Sequence, residues 1–424
     1  MEAQLSPSSR RRCDRHGSQS STVTCSAPCS SACRPTSTAS ASAPSAAPGA
    51  PALPPLASRC RCRGSPSATG SLIDFDGNPV RCPRPILCDG VVSFHPVGGG
   101  DKLVFLEHDD GGCSLMNPLS ATSGSSGDRD NPLLPLPKLA AAVRRAVDSC
   151  ETRTLAAYTP KPSYSTVIMS SSPVVDSSSS PDTLVAALIL NRCAVAISTC
   201  KRHDDDDDTA SFLIRSISLL ATTICGIAFL HGKLYAVTSK EGLHVLDLNG
   251  GGAVFRSCIA DYPEKDSIYK DVERRGHLVV RYLVESGGRL LMVRWWKSLP
   301  PPVWNADRPP SRFEVLEAVD LAVAGVGGWW KAVDGLRGRA LFLGKADSRS
   351  VLAAAVGGGA GAREDCIYFI GRTFWYPSKE EDFGQSGVYD MISGEISPLQ
   401  LPDRGTVELR LHCEYPRWFF PADY

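Results

Sequence analysis

Three stretches of this sequence carry residue types that do chemistry in other settings. Gly357-Gly358-Gly359-Ala360-Gly361-Ala362 fits the pattern G-x-G-x-x-A, in which small residues let a backbone approach a pyrophosphate. That use requires a strand before the glycines and a helix after them. Here both flanks, Ser350 to Ala354 and Ile367 to Ile370, read as strands, so the run is expected to be a connecting loop. His203 with Asp204 to Asp208 sets five consecutive carboxylates beside an imidazole. Calcium loops space their ligands at alternate positions around a glycine, and five neighbours cannot face one ion, so a solvated, self-repelling loop is expected. Cys25, Cys29 and Cys33, and Cys60 and Cys62, lie among Ser, Ala and Pro without the Cys-x2-Cys pairs of a zinc knuckle. No metal and no cofactor is therefore expected. G-x-S-x-G, Walker A and H-E-x-x-H patterns are absent, and eight scattered histidines single out no triad. The set of catalytic residues is empty, and the chain is expected not to be an enzyme.

Binding is the remaining option, and two aromatic doublets carry it: Trp295-Trp296 and Trp329-Trp330. Neighbours in a strand point to opposite faces, so one Trp of each pair is expected inside and the other outside, where it could anchor a protein partner. The balance of 45 basic and 45 acidic side chains gives no reason to expect nucleic acid or an anionic membrane as partner. The longest apolar runs, Leu184 to Cys200 and Ser216 to Leu230, are both interrupted by polar residues or glycine, so no membrane span is expected. Eight of the sixteen cysteines lie before residue 90 and eight are scattered singly after it. The later eight read as reduced, small apolar residues of a cytoplasmic or nuclear protein.

The elements that would hold such side chains are short. Gly226 to Leu248 reads strand, turn, strand, turn, strand, with breaks at His231-Gly232 and Ser239 to Gly242. Similar runs recur from Val91 to Met391, with turn signals at Asp110-Gly111-Gly112, Ser286-Gly287-Gly288, Gly335 and Ser393-Gly394. Some 350 residues of this texture are too many for one sandwich and fit an all-β propeller of about six or seven blades. One helix is expected, Leu139 to Val147, bridging blades on the surface.

Residues 1–70 are different material. Ser, Ala and Pro fill 37 of these 70 positions, and Phe, Tyr, Trp, Ile, Lys and Asn do not occur. Such a stretch buries too little apolar surface to offset its ordering entropy, so a disordered low-complexity tail is expected before a propeller at 71–424. Two other readings fit the same composition. Arg10-Arg11-Arg12 with only Glu2 and Asp14 acidic suits a chloroplast or mitochondrial transit peptide. A GC-rich stretch translated out of frame would look alike.

The strings SLMNPLS (114–120), LPLPKL (134–139), IAFLHGKLYAVTSKEGLHVLDL (227–248), RYLVESGGRLLMVRW (281–295), FEVLEAVDL (313–321), GRALFLGKADSRSV (338–351), CIYFIG (366–371), GVYDMISGEISPL (387–399) and PRWFFP (416–421) occur in this order. Together they resemble the plant KIB-type β-propeller family, also called domain of unknown function 295. In that family the propeller usually follows an F-box, which docks on a cullin-RING ubiquitin ligase while the propeller selects the substrate. The resemblance implies a receptor that binds a protein substrate. Residues 1–70 offer only ALPPLASRC at 52–60 toward an F-box, with no apolar periodicity after it, so a ligase adaptor is expected as partner only if the gene product carries an F-box.

Overall fold

The computed structural model describes residues 56–59, 71–73, 79–80, 86, 90–99, 103–119, 133–148, 164–170, 183–189, 194–200, 212–215, 223–247, 254–262, 277–298, 311–321, 327–344, 348–353, 362–370, 386–399 and 417–419. The chain separates into two units, 1–50 and 51–424, and all described residues belong to the second. The Gly357–Gly361 run, the Asp204–Asp208 run and the five N-terminal cysteines lie outside the described residues.

The unit is an all-β propeller. Its first blade comprises Val91–Pro96, Val104–His108, Cys113–Met116 and Leu133–Pro135. The second comprises Tyr164–Met169, Thr183–Ile189, Ala194–Cys200 and Phe212–Arg215. Ile224–Leu230, Lys233–Thr238, Leu243–Asp247 and Val254–Ile259 build the third. The fourth has the longest strands: His277–Glu285, Leu290–Ser298, Arg312–Val319 and Trp329–Ala332. All four are antiparallel meanders whose strand order follows the chain. Glycine-containing turns at Asp110-Gly111-Gly112, His231-Gly232 and Gly287-Gly288 let the strands that they join turn straight back on themselves.

The fifth blade departs from that pattern. Its order is Ser348–Leu352, Arg339–Leu343, Cys366–Phe369, Gly387–Asp390 and Ile396–Pro398, with Arg339–Leu343 parallel to Cys366–Phe369. The chain thus makes a hairpin and then sets its next strand on the other side of Arg339–Leu343. A parallel neighbour needs a crossover connection of this kind.

Five blades are built from consecutive strands, which corrects the expected six or seven. What remains is a sixth sheet of very short strands, Leu56–Arg59, Ser71–Ile73 and Pro79–Val80, to which the C-terminal Arg417–Phe419 is added beside Leu56–Arg59. One of these strands, Leu56–Arg59, falls within the stretch whose composition suggested a structureless tail. Trp418 of the added strand is 1% exposed, donates from Nε1 to the Leu343 carbonyl at 2.9 Å and meets the Phe342 ring edge-on at 5.0 Å. It ties the C-terminal strand to the fifth blade.

The core is a set of layers between neighbouring blades. Ile168, Leu188, Ile227 and Leu234 join the second and third, and Tyr235, Leu243, Leu283 and Met292 join the third and fourth. Val293, Trp295, Phe313, Leu341 and Phe369 join the fourth and fifth. The helix, α1, runs Pro137–Asp148, starting with a proline where a missing N–H costs nothing. Leu139, Ala140, Ala142 and Val143 are buried, with Cys113 and Ala194, between the first two blades. The helix expected on the surface is therefore half core, since the i, i+3, i+4 spacing of its apolar residues gives it a face to bury.

Candidate protein interface

Each blade has an entry end, where the chain runs into the first strand, and a turn end, where the first strand folds back into the second. The four tryptophans all belong to the fourth blade, yet they face different neighbours. Trp295 is 2% exposed, stacked on Phe313 at 5.5 Å and tilted against Phe369 at 5.1 Å, with Lys297 Nζ 5.0 Å from its ring. It is core between the fourth and fifth blades, so of the four proposed interface residues it is the one to strike out. Trp296 looks the other way and is half-buried at the entry end, with the Arg312 guanidinium 4.9 Å from its ring. Trp330 is half-buried against the third blade and donates from Nε1 to the Glu241 carbonyl at 2.7 Å. Trp329 alone is open, at 49% exposure, on the outer strand at the turn end, where its Nε1 donates to Asp320 Oδ2 at 3.1 Å. Opposite faces within each doublet follow from the strand pleat.

What fixes the fourth blade in place is a buried carboxylate that the sequence reading did not single out. Glu241 occupies the Ser239–Gly242 turn of the third blade in a left-handed conformation, φ 64°, and is 1% exposed. Arg281 donates from Nε to its Oε1 at 2.8 Å; Arg294 donates from Nε to the same oxygen at 2.9 Å and from Nη2 to Oε2. Arg294 also reaches Glu314 at 3.3 Å. Burial works against the charge of Arg294, but Glu241 and Glu314 outweigh it and hold the guanidinium above its usual range. Beside this clasp Asp261 accepts from Thr238 Oγ1 at 2.5 Å, and Thr238 Oγ1 accepts from Gly242 N at 3.1 Å. A Cβ on Gly242 would overlap the Asp261 carboxylate, which is why a glycine stands there.

The turn end of the fourth blade, beside which the chain enters the fifth, is built differently. Two turns meet there, Ser286-Gly287-Gly288-Arg289 and Leu336-Arg337-Gly338-Arg339. Each has two successive left-handed residues, Gly287 and Gly288 at φ 59° and 79°, Arg337 and Gly338 at φ 60° and 74°. Glycine accepts that conformation readily, whereas Arg337 pays strain for it. The Arg339 side chain lies over Gly287, its Nη1 3.7 Å from where a Cβ would stand. Arg339 donates from Nε to Ser350 Oγ at 2.7 Å and from Nη2 to the Ser350 carbonyl at 3.1 Å. Burial holds this guanidinium below its usual range, against the pull of Glu285 and with help from the like charges of Arg289 and Arg349. Arg289 pairs with Glu317 at 3.2 Å, and Arg337 reaches the same carboxylate only at 3.8 Å with 71% of its side chain exposed.

This strip continues outward in both directions. Lys331 stands opposite Glu317 in the sheet, and Trp329 is two residues further along the same strand. Leu352, 44% exposed, pairs with Arg339 in register. Exposed Trp and Leu flanking arginines is the residue mix of a protein-contact surface. The inner strands, by contrast, leave a cavity of about 30 Å³ lined by Thr166, Cys225, Tyr282 and Ser348 among others, room for little more than a water. Among the described residues no helix is long and apolar enough to cross a membrane.

Radial four-stranded sheets packed face to face, with the C-terminal strand added to a sheet of early strands, define a β-propeller. The chain belongs to the KIB1-4 β-propeller family, whose profile matches residues 80–390. No curated protein matches it. Two solved structures align at 5% identity and a TM-score of 0.29: a Saccharomyces cerevisiae complex of Dbp5, Nup159 and Gle1, and the N-terminal domain of Nup159. Each alignment covers 67% of this chain, which spans about three fifths, 61% and 62%, of those chains.

Proposed function

We propose that this chain is a non-catalytic protein-binding propeller, the substrate-recognition part of an F-box-associated receptor of the domain of unknown function 295 type in a cullin-RING ubiquitin ligase. The observation that carries the binding reading is the exposed Trp329 at the turn end, continuous with arginines and Leu352. Trp and Arg are the side chains that most often dominate protein interfaces, and Trp329 is held ready by its hydrogen bond to Asp320. Family membership supports the reading, because propellers of this kind offer loops and faces to partners.

The test is quantitative affinity purification of the tagged full chain and of Trp329→Ala from cells that express it. The parent chain is expected to recover one partner with the ligase adaptor, and W329A to lose that partner about tenfold or more while keeping the adaptor. Recovery of a partner without adaptor leaves binding and removes the ligase. Equal recovery by W329A moves the contact away from the turn end.

A further inference from the structure

The arginine strip has a feature that a purely structural cluster lacks. In the Glu241 clasp every guanidinium is held by a carboxylate at hydrogen-bond distance. At the turn end, Arg337 donates no hydrogen bond among the described residues, and Arg339 spends Nε and Nη2 on Ser350 while Nη1 has no hydrogen-bond partner among them. Arg337 moreover holds a backbone conformation that costs an ordinary residue energy, although glycine, its own neighbour, would take the position freely. Strain kept at an exposed, charged side chain points to a use for that side chain. His231, exposed in the equivalent turn of the third blade, stands 3.9 Å from the Cβ position of Gly288 and adds a donor to the same collar.

We propose that Arg337 and Arg339, backed by Arg289 and His231, bind a phosphate group on a serine or threonine of the protein partner, an inference that rests on the partner-binding reading above. Planar guanidinium forks match phosphate oxygens with paired, charge-assisted hydrogen bonds. A dianionic phosphate also relieves the mutual repulsion of Arg289 and Arg339, beside which stand the carboxylates of Glu317 and Glu285. Trp329 and Leu352 then grip the segment on either side of the phosphate, so the surface suits a peptide better than an extended lipid plane.

The experiment immobilises the full chain and offers two degenerate peptide pools, identical except that the central residue is serine in one and phosphoserine in the other. The phosphorylated pool is expected to be retained about tenfold or more above its twin, Arg337→Gly to erase most of that difference, and Arg337→Lys to keep part of it. R337G suits the left-handed position, so it folds. Equal retention of the two pools overturns the inference, as does an undiminished preference in R337G, or R337-dependent binding of phosphatidylserine vesicles with no phosphopeptide preference. If the pools are retained equally while Trp329→Ala still loses its partner, the partner-binding reading stands and the phosphate alone falls.

Discussion

The fourth blade carries one arginine cluster in the middle of its first hairpin and another at its turn end, and the two are opposites in everything but residue type. At mid-hairpin Arg281 and Arg294 close on Glu241, with side-chain exposures of 3%, 13% and 2%. At the turn end Arg289 and Arg337 share Glu317, and Arg337 is 71% exposed. A buried charge is tolerable only when its donors and acceptors are fully used, so the first cluster locks two blades together and has nothing left to offer. The second stands partly in water, where unused donors cost little and remain available to a ligand. Donor saturation, more than charge count, separates scaffold from site.

The largest effect that probes this difference is removal of the clasp's carboxylate. Glu241→Ala leaves Arg281 and Arg294 buried with no counter-charge and is expected to destabilise the propeller by about 3–5 kcal/mol, read as a lower midpoint in urea. Replacing all three together, Glu241→Leu with Arg281→Met and Arg294→Met, should recover most of that loss, because apolar side chains of similar volume bear no desolvation penalty. A triple variant as unstable as E241A would mean that the clasp sets blade geometry by more than charge.

A smaller effect lies in the same knot. His244 Nε2 is 3.8 Å from Asp261, and burial, only partly offset by that carboxylate, holds the imidazole pKa below its usual value of 6.5. The unfolded chain therefore binds a proton more readily than the folded one. Its contribution to stability is present above pH 6.5 and is lost as pH falls below that value through the folded pKa. His244→Gln should flatten the thermal midpoint of the full chain between pH 7.5 and pH 5. A parent profile as flat as the variant's would refute the shift.

Much of this architecture was legible in the sequence because its signals are local. The turns at His231-Gly232 and Gly287-Gly288 and the alternation around Leu234 to Leu248 reflect φ preferences and the strand pleat, both set by adjacent residues. The opposed faces of Trp295 and Trp296 were readable for the same reason. The Tyr164–Met169 and Val254–Ile259 strands carry a weaker local signal, because their polar residues dilute the apolar pattern. The crossover in the fifth blade was also illegible, since strand order within a sheet is a long-range property. Both arginine clusters were missed on the same ground. Glu241 lies 40 and 53 positions from its two arginines, and Arg289 and Arg337 are brought together by blade packing. A faint local signal existed: a basic residue follows the left-handed pair in HGK, GGR and RGR alike.

The smallest expected effect discriminates best between the two clusters. Arginine at φ 60° costs roughly 1–2 kcal/mol relative to a relaxed backbone, and glycine gives back part of any gain through its greater freedom in the unfolded chain. Arg337→Gly should therefore raise the stability of the propeller by up to about 1 kcal/mol, visible as a slightly higher thermal midpoint. The salt bridge it removes, at 3.8 Å and largely in solvent, contributes too little to cancel that gain. A residue whose loss stabilises the fold cannot owe its place to the fold, and the same substitution is expected to weaken phosphopeptide binding. Should R337G instead lower the midpoint, Arg337 belongs with Arg281 and Arg294 as part of the scaffold, and the distinction between the two clusters collapses.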